Sequence, residues 1–562
     1  MSVSASEPRS VYSGFQNFLI NVGLLFLSAV LFALPNPGFI FSDGLPVFAW
    51  FAYIPVYILI HRVSLKTAWL YGFFYGVTAY ILYVSWLVIF SPVGSIAIEA
   101  EHGVMLLITF ELIKAAGLLF PVHGWIVEWL ISCAYEYAKT KGFAGFSYGV
   151  TAYTQWQNTV LIQCTDILGV WGLSALILFV SAWCANVISE TLRSASDDTC
   201  KKISAHTFMQ SALNHWISAA VWALCFIFVI VYGVCVQKDY SSYPSVQVAA
   251  CQNNTDPWIG GISAYKRDVN TLMSLSDQAL ASDPAVKLVV WPETAVVPSV
   301  LRHYRQRPDQ ERFELIKSFL EYVDSKSAVF VTGNDHAVDT GNGDTDDYNS
   351  VLVFTPKKNT LPPEPEIYRK IHLVPFTEFF PWPRQFPGLY QALLNGDTHL
   401  WSPGSEITVF HCEGLTFATP VCFEDTFGDG CRDMYRAGAR AFVNLSNDAW
   451  SKSLACQNQH LAMAVFRCVE NRVPAVRSTA SGQTCILDPN GKIVKMAKPF
   501  TQTWITGSVP VIPENAEQTL YVRIGDVLGK LFVFVSAAVL LAGILLKIYN
   551  KACKITQSRK ER

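Results

Sequence analysis

The sequence is poor in charge. Only 15% of its 562 residues are Asp, Glu, Lys or Arg, against about 25% in an average soluble protein, while 51% are hydrophobic. The formal net charge is -2, so the chain lacks the basic character that binding to nucleic-acid phosphates requires. We therefore exclude nucleic acid as a partner and expect several membrane spans attached to a water-exposed part.

The sequence also lacks the motifs of a metal site. It contains no HExxH and no paired CxxC motif, although His372, His411 and His460 lie in its polar part, so we expect no metal and no other cofactor. Fourteen cysteines are present without the close spacing of a disulfide framework. Those that could form disulfides in an oxidising compartment, in pairings left open, are Cys251, Cys412, Cys431, Cys456, Cys468 and Cys485.

Long apolar runs are absent between residues 240 and 520 but frequent elsewhere. A helix needs about 20 apolar residues to cross the hydrocarbon core. Such runs lie near 15–34, 45–61, 68–90, 166–189, 213–236 and 528–547, and the stretch 103–140 has room for two more, broken around Pro121 and Gly124. The sequence therefore predicts about eight spans. No small-residue cleavage site closes the run after Met1–Gly14, so we expect an uncleaved first span rather than a signal peptide.

These runs divide the chain into three predicted parts. Residues 1–239 form a membrane region of about seven spans, 240–520 form a water-exposed domain, and 521–562 form a closing span with a basic tail. Basic residues that should face the cytoplasm are Lys547, Lys551, Lys554, Arg559, Lys560 and Arg562 in the tail, and Arg62, Lys66, Arg193, Lys201 and Lys202 in two loops. Eight spans then place the domain outside, in the periplasm of a Gram-negative cell, although Lys139 and Lys141 contradict the rule by falling on the outer side.

Ionisable residues lie within the predicted spans, among them Glu111, Lys114 and Glu128. Glu111 and Lys114 are three residues apart on one helix face and could neutralise each other. Glu128 has no partner nearby in the sequence. A polar seam near a substrate entrance and ordinary hydrogen bonding between helices both explain them.

The polar part alternates between β-rich and helical patterns. The β-rich runs are Val246–Ala250, Lys287–Trp291, Ala328–Thr332, Ser350–Phe354, Ile407–His411, Leu415–Val421, Ala441–Leu445 and Gln483–Leu487, and the helical ones are Ser263–Leu280, Gln310–Val323 and Gln457–Arg472. This alternation predicts a layered α/β domain with its site at strand ends.

Three segments place reactive side chains at such strand ends. Glu293 closes the run LVVWPE, Lys370 lies in YRKIHLVPFTE, and Cys422 lies in ATPVCFED. Taken singly, each has an ordinary explanation, such as a solvated loop carboxylate or a small buried thiol. Together they supply what acyl transfer through a thiol needs: a nucleophile, a carboxylate that moves its proton, and an ammonium that lowers the thiol pKa and stabilises an oxyanion.

The set WPE, K-x-HLVPF-x-E, CFE and NLSNDAW resembles the nitrilase, or carbon–nitrogen hydrolase, superfamily. With its spans, the whole chain resembles the bacterial apolipoprotein N-acyltransferase family. The resemblance implies a polytopic α-helical membrane protein with an inserted αββα sandwich. It also implies that Glu293 is the general base, Lys370 the oxyanion stabiliser and Cys422 the nucleophile.

Further residues match the family's motifs. The resemblance implies supporting roles for Glu378 and Glu424, and substrate contacts by Trp258, Phe423 and Trp450. Tyr348–Asn349–Ser350 matches the family's YNS strand. The departures are Phe423 where Tyr is frequent, Thr377 where Gly usually precedes the glutamate, and Ser451 where Phe-Gly commonly follows the tryptophan. They leave loop detail and substrate preference open.

The implied reaction has two steps at the outer face of the inner membrane. Cys422 takes an sn-1 acyl chain from a phospholipid, typically phosphatidylethanolamine, and passes it to the α-amino group of a diacylglyceryl-cysteine apolipoprotein. We expect a monomer. Aromatic and aliphatic residues of the segment 379–403 could form a lid that excludes water, or rest at the bilayer interface, or both: Phe379, Phe380, Trp382, Phe386, Leu389, Tyr390 and Trp401.

Two other functions remain possible at this stage. One is a membrane-anchored amidase that passes the acyl group to water, which a single anchoring span would serve. The other is a transporter or scaffold with a catalytically inactive domain. The many spans argue against the first, and the intact set of Glu293, Lys370 and Cys422 argues against the second.

Overall fold

A computed structural model describes residues 14–197, 205–256, 258–341, 345–394 and 400–560, excepting the side chains of 195–197 and 560. Most of the polar segment before the first span, the loop residues Lys201 and Lys202, the Lys560 side chain and Arg562 lie outside this description.

The part before residue 240 is helical. Its helices are α1 (Gly14–Ala33), α2 (Ile54–Arg62), α3 (Leu65–Val84), α4 (Leu87–Phe90), α5 (Pro92–Leu119), α6 (Gly124–Ala138), α7 (Thr165–Asp197), α8 (Ala205–Asn214) and α9 (Trp216–Cys235). The predicted break between two spans is confirmed, because α5 ends at Leu119 and α6 begins at Gly124. The segment 91–102, which lies between two predicted spans, is helical too, since Ser91 caps α5 by accepting from the backbone N–H of Gly94 and the helix continues through the segment.

Five helices of the described chain are long and apolar enough to span a membrane, fewer than the eight predicted. They are Gly14–Ala33, Pro92–Leu119, Leu161–Ser194, Trp216–Cys235 and Val527–Arg559. The apolar helical segment Pro46–Arg62 is shorter, as is α6, and α3 is rich in tyrosine and glycine. All three occupy positions where a span was predicted.

Helix α3 is rich in tyrosine and glycine because it packs against protein. Tyr75 and Tyr80 are buried, and the glycines of a GxxxG pair, Gly72 and Gly76, face α5. A Cβ atom on Gly76 would lie 2.5 Å from the carbonyl oxygen of His102. Close contact between backbones is how small residues join membrane helices.

The domain contains two six-stranded sheets. The strands are β1 (Ser245–Gln252), β2 (Val286–Val290), β3 (Val329–Asp339), β4 (Thr345–Phe354), β5 (Glu366–Arg369), β6 (Phe410–Cys412), β7 (Leu415–Ala418), β8 (Ala441–Ser446), β9 (Ala475–Thr479), β10 (Cys485–Leu487), β11 (Ile493–Met496) and β12 (Thr503–Pro510). The sheet orders are β12-β1-β2-β3-β4-β5 and β11-β10-β9-β8-β7-β6. The three-strand groups β1–β2–β3 and β7–β8–β9 are parallel, and the other pairings are antiparallel.

Helices cover the outer face of each sheet, so the predicted αββα sandwich is confirmed. They are α10 (Ile262–Ser282), α11 (Val300–Gln306) and α12 (Gln310–Asp324) on the first sheet, and α14 (Gly428–Arg436) and α15 (Leu454–Asn471) on the second. The remaining helices are α13 (Pro387–Leu394), α16 (Leu520–Ile524) and α17 (Val527–Lys560). Alternation along β1 shows the layers: Ala249 and Cys251 pack in the core under α10 and α12, whereas Val248 and Ala250 face the second sheet.

Helix α15 lies between the second sheet and the membrane helices. Every residue from Ala455 to Asn471 is buried. Its core side chains belong to one continuous apolar cluster that also contains Tyr83 of α3 and Trp171 of α7. The domain is therefore packed directly onto the membrane region, with α10 and α12 on the far side.

The two lysines that contradict the orientation rule are both paired. Lys139 Nζ lies 2.7 Å from Glu136 Oε1 and donates to the Gly149 carbonyl. Lys141 Nζ lies 2.7 Å from Asp429 Oδ2 and 2.9 Å from Asp526 Oδ2. Both lysines are therefore held in ion pairs within the fold.

The ionisable residues of the spans make hydrogen bonds between helices. Glu128 is paired with His61 of α2, whose Nε2 lies 2.8 Å from Glu128 Oε2. Glu111 accepts from the backbone N–H of Trp69, and Lys114 donates to the carbonyl of His61. These contacts join α2, α3, α5 and α6, as the hydrogen-bonding interpretation expects.

The thirteen described cysteines are all free thiols. None of the disulfides left open by the sequence forms among them. Cys251, Cys431, Cys456, Cys468 and Cys485 are buried side chains of the two cores, each at most 1% exposed.

Candidate active site

Three strand ends carry Glu293, Lys370 and Cys422 to one place. Glu293 follows β2 by three residues, Lys370 follows β5 directly, and Cys422 opens a short 3₁₀-helix, Cys422–Thr426, after β7. The WPE turn can lie against β3 because position 333 is glycine: a Cβ atom there would be 2.3 Å from the backbone nitrogen of Thr294.

The Lys370 ammonium is enclosed by two carboxylates. Its Nζ lies 2.9 Å from Glu378 Oε1 and 3.3 Å from Glu293 Oε1. Lys370 is 1% exposed and Glu293 is 7% exposed. Burial disfavours the charged amine, but the negative charges of Glu378 and then Glu293 outweigh it and raise the pKa of Lys370 above its ordinary value. The lysine is therefore a fixed positive charge.

The Cys422 thiol is half-buried and protonated at rest. Burial, followed by the negative charge of Glu293, raises the pKa of Cys422 well above its ordinary value, and the opposing effect of Lys370 is smaller. Lys370 lowers the pKa of the thiol, in the direction that the sequence predicts, but burial and Glu293 outweigh it. A resting thiol beside a carboxylate fits proton transfer during attack on a substrate.

Glu424 links the lysine loop to the cysteine loop and is 2% exposed. Its Oε1 accepts from the backbone N–H groups of Ile371 at 2.8 Å and His372 at 3.0 Å, and its Oε2 accepts from that of Val421 at 2.8 Å. The Tyr368 hydroxyl also donates to it. These bonds fix the backbone on each side of Lys370 and Cys422.

Asn349 joins the two carboxylates and was not among the site residues predicted from the sequence. Its Nδ2 donates to Glu293 Oε1 at 2.8 Å and to Glu378 Oε1 at 3.4 Å, while its carbonyl accepts from the Lys370 N–H. The only signal for it was the resemblance of Tyr348–Asn349–Ser350 to a family strand, which gave it no role.

The three aromatic residues predicted to contact substrate differ in exposure. Trp258 is 46% exposed. Trp450 packs on Phe90 of α4, with ring centroids 4.0 Å apart, and Phe90 lies 6.5 Å from Trp258. Phe423 is 9% exposed and packs edge-on against Phe427. Trp258 and Trp450 thus meet the membrane region at Phe90, whereas Phe423 is part of the core.

The predicted lid segment packs against a loop of the membrane region. Phe143, between α6 and α7, contacts Phe376 and Trp382, with ring centroids 5.5 Å and 4.8 Å apart. Phe386 is 56% exposed. Residues 395–399 of the segment lie outside the described chain. Glu378, directly before this segment, forms an ion pair with Lys370, so the start of the segment is held next to that lysine.

Two protein families match this chain. Residues 247–512 match the carbon-nitrogen hydrolase family, the class that the sandwich and its strand-end residues define, and residues 28–183 match the apolipoprotein N-acyltransferase N-terminal domain. Two curated relatives are named apolipoprotein N-acyltransferase 1. The protein of Treponema denticola is 37% identical, and the match covers 96% of this chain and 98% of the relative. The protein of Treponema pallidum is 41% identical, and the match covers 92% of this chain and 95% of the relative.

The chain belongs to the apolipoprotein N-acyltransferase family. Among solved structures, Nit3 of Saccharomyces cerevisiae, a nitrilase-superfamily member, is 18% identical with a TM-score of 0.34. The match covers 49% of this chain and 92% of that one.

Proposed function

We propose that the protein transfers an acyl chain from a phospholipid, through a thioester on Cys422, to the N-terminal amine of a diacylglyceryl-cysteine apolipoprotein. This is the last step of lipoprotein maturation. The observation that carries the proposal is the buried Lys370 ammonium, held by Glu293 and Glu378 close enough to act on the Cys422 thiol, in a family member with membrane-spanning helices.

In the first step, Cys422 Sγ attacks the carbonyl carbon of the acyl ester. Glu293 takes the thiol proton, and Lys370 stabilises the negative oxygen of the tetrahedral intermediate. When the ester C–O bond breaks, Glu293 returns the proton to the departing oxygen. A lysophospholipid leaves and the acyl group stays on sulfur.

In the second step, the apolipoprotein amine attacks the thioester carbon. Glu293 takes a proton from the attacking nitrogen, and Lys370 again stabilises the oxyanion. The C–S bond breaks, the thiolate recovers the proton from Glu293, and an amide is formed. The enzyme returns to its starting state with atoms and charge balanced.

The proposal extends to partners and location. Phosphatidylethanolamine is the proposed donor, and the cytoplasmic membrane is the proposed location, with eight spans, the domain 240–520 on the periplasmic face and a monomeric protein. The basic residues of the tail, with Arg62 and Lys66 of the loop between two predicted spans, support this orientation. Both substrates are lipids, which suits a site packed against membrane helices.

The test is intact-mass spectrometry of the purified protein incubated with phosphatidylethanolamine. Wild type should gain the mass of one fatty-acyl group, mapped to Cys422, and Cys422→Ala should not. Cys412→Ala is the matched control, because Cys412 is a buried thiol of the same sheet, and should behave as wild type. Adding a diacylated lipopeptide should move the acyl group to its amine.

Each other outcome has a definite meaning. Release of free fatty acid without lipopeptide acylation would support an amidase instead. Folded wild-type protein that gains no acyl mass would contradict the thioester mechanism and favour an inactive scaffold.

A further inference from the structure

A second ionic cluster adjoins the backbone of Cys422. It comprises Asp425, Asp448, His460 and Arg477, each at most 3% exposed. Arg477 is bonded to Asp425, and His460 lies between the two aspartates. None of these residues takes part in the proton transfers described above, although a buried charged group needs a compensating reason to be there.

Both ring nitrogens of His460 face acceptors. Nδ1 lies 3.1 Å and 3.3 Å from the two carboxylate oxygens of Asp448, and Nε2 lies 2.8 Å from Asp425 Oδ1 and 3.1 Å from the Cys422 carbonyl oxygen. A neutral imidazole has only one N–H and would leave one of these sides without a donor. An imidazolium donates on both sides, and it balances the charges of the cluster at two positive and two negative.

The Cys422 carbonyl is held in an unusual backbone conformation. Cys422 has a φ angle of 47°, which costs free energy for a residue with a Cβ atom. Its carbonyl accepts from His460 Nε2 at 3.1 Å and, at a longer 3.4 Å, from Asn444 Nδ2. His460 thus makes the shorter of the two hydrogen bonds that hold the peptide group of Cys422 in place.

We propose that His460 is a positioning residue, which as an imidazolium holds the carbonyl of Cys422 and cancels the charge of Asp448 beneath the nucleophile. The proposal concerns the nucleophile of the function proposed above. Asp448 matters to the thiol because its negative charge is one of those that raise the pKa of Cys422. Without the imidazolium, that charge would act on the thiol unopposed.

The other groups that face this site fit the same assignment. The charge of Asp448, together with the hydrogen bonds from His460, outweighs burial and raises the pKa of His460, and Glu293 adds to this effect. Arg477 of β9 neutralises Asp425. Tyr148, from the membrane region, is buried and close enough to Asp448 to interact with its charge.

The experiment measures how the rate of Cys422 alkylation by iodoacetamide depends on pH, with the modified residue identified by peptide mass. It needs no lipid substrate. Replacing His460 by glutamine keeps a hydrogen-bond donor but removes the charge, so His460→Gln should raise the apparent pKa of the Cys422 thiol by about one unit, equivalent to about tenfold slower alkylation below it.

A second substitution separates charge from structure. The double variant His460→Gln with Asp448→Asn removes one charge of each sign and should return the apparent pKa toward that of wild type. Asp448→Asn alone should lower it, which keeps the test decisive if His460→Gln does not fold. His336→Gln is the control: His336 is a buried histidine of the same domain, on β3, and its loss should leave the profile unchanged.

Failure of the inference can be told apart from failure of the proposed function. An unchanged profile in folded His460→Gln, or no recovery in the double variant, overturns the inference. If acyl transfer occurs, His460→Gln should lower kcat with little change in KM, because it acts on the nucleophile rather than on lipid binding. A shifted profile in a protein that forms no thioester would overturn the function and leave the inference standing.

Discussion

At the residue scale, the site keeps one positive charge among several negative ones. Lys370 is the only cation bonded to Glu293 and Glu378 in the described part of the chain, so its removal would leave two buried carboxylates facing each other. The same lysine is the proposed donor to the oxyanion. Its positioning and its chemistry therefore depend on the same two contacts.

Replacing Lys370 by methionine tests this double role. Methionine has a similar length and no charge, so the oxyanion loses its charged donor, and we expect thioester formation to slow by about 100-fold or more. A single-turnover measurement of acyl-enzyme formation checks this. Lys358→Met is the control, since Lys358 is exposed on a distant loop, and it should form the thioester at the wild-type rate. Equal rates in both variants would remove Lys370 from the mechanism.

Residues at strand ends were predictable from the sequence, whereas residues that act through partners were not. Glu293 and Cys422 each follow a predicted β-rich run, whereas Lys370 follows the short, unpredicted β5 and lies in a recognisable motif. The chemistry of the three is specific in combination. Asn349 lies 56 residues from Glu293 in sequence, and His460 lies 38 residues from Cys422. A local sequence pattern does not reveal contacts between residues so far apart in the chain. Asn349 and His460 therefore look like ordinary polar residues in the sequence.

At the scale of elements, α15 carries contacts to both halves of the molecule on consecutive residues. Asn458 donates to the Ser42 carbonyl, Gln459 donates to the Pro37 carbonyl and accepts from Trp86, and His460 holds Cys422. The helix contains many polar residues but is buried from Ala455 to Asn471. The side chains of Asn458 and Gln459 can be buried because they pair with backbone carbonyls of the membrane region. His460, which contacts the proposed nucleophile, is thus the neighbour in sequence of Gln459, which contacts the membrane region.

The elements that the sequence missed have weak or interrupted patterns. Strand β9 has the sequence AVRST, all buried, and its Arg477 faces Asp425 in the core. An arginine and a serine inside a strand break the apolar pattern that would reveal it. Strand β12 contains Gly507 and Pro510, and β5 and β11 have only four residues each. Most of the predicted strands contain runs of Val, Ile, Leu or Phe, such as Lys287–Trp291 and Ser350–Phe354.

The contact between α3 and α5 makes a prediction about glycine. Gly76→Ala places a Cβ atom 2.5 Å from the carbonyl oxygen of His102, and a backbone atom in a packed helix has little room to move. We expect a loss of about 1–3 kcal/mol in stability, measured by thermal unfolding in detergent. Gly23→Ala is the matched control in α1, where nothing lies within 4 Å of the added atom. If the two variants unfold at the same temperature, this close packing does not stabilise the bundle.

At the scale of the whole molecule, the membrane region and the domain are joined by polar contacts as well as by the apolar core. Arg472 Nε donates to Asp166 Oδ2 at 3.0 Å, and Gln163 donates to the Asn490 carbonyl at 2.9 Å. Lys141 adds a third contact that includes the last helix, because Asp429 belongs to α14 and Asp526 directly precedes α17. These contacts tie three distant parts of the chain together.

Replacing Lys141 by methionine removes the charge that holds these parts together. Asp526 is 5% exposed and keeps two donors, from Trp171 at 2.8 Å and Tyr521 at 3.2 Å, whereas Asp429 is partly exposed and its pairing is screened by water. We therefore expect a moderate loss, about 1–2 kcal/mol, seen as a lower unfolding temperature in detergent and faster proteolysis between the domain and α17.

Two further variants identify the cause. Adding Asp526→Asn to Lys141→Met removes the uncompensated carboxylate and should recover part of the loss. Lys317→Met removes one partner of the exposed pair with Glu321 on α12 and should change stability by less than about 0.5 kcal/mol. If the double variant is no more stable than Lys141→Met alone, the lysine acts through its packing on Tyr137 rather than through its charge, and the domain is held to the membrane region by apolar contacts at this point.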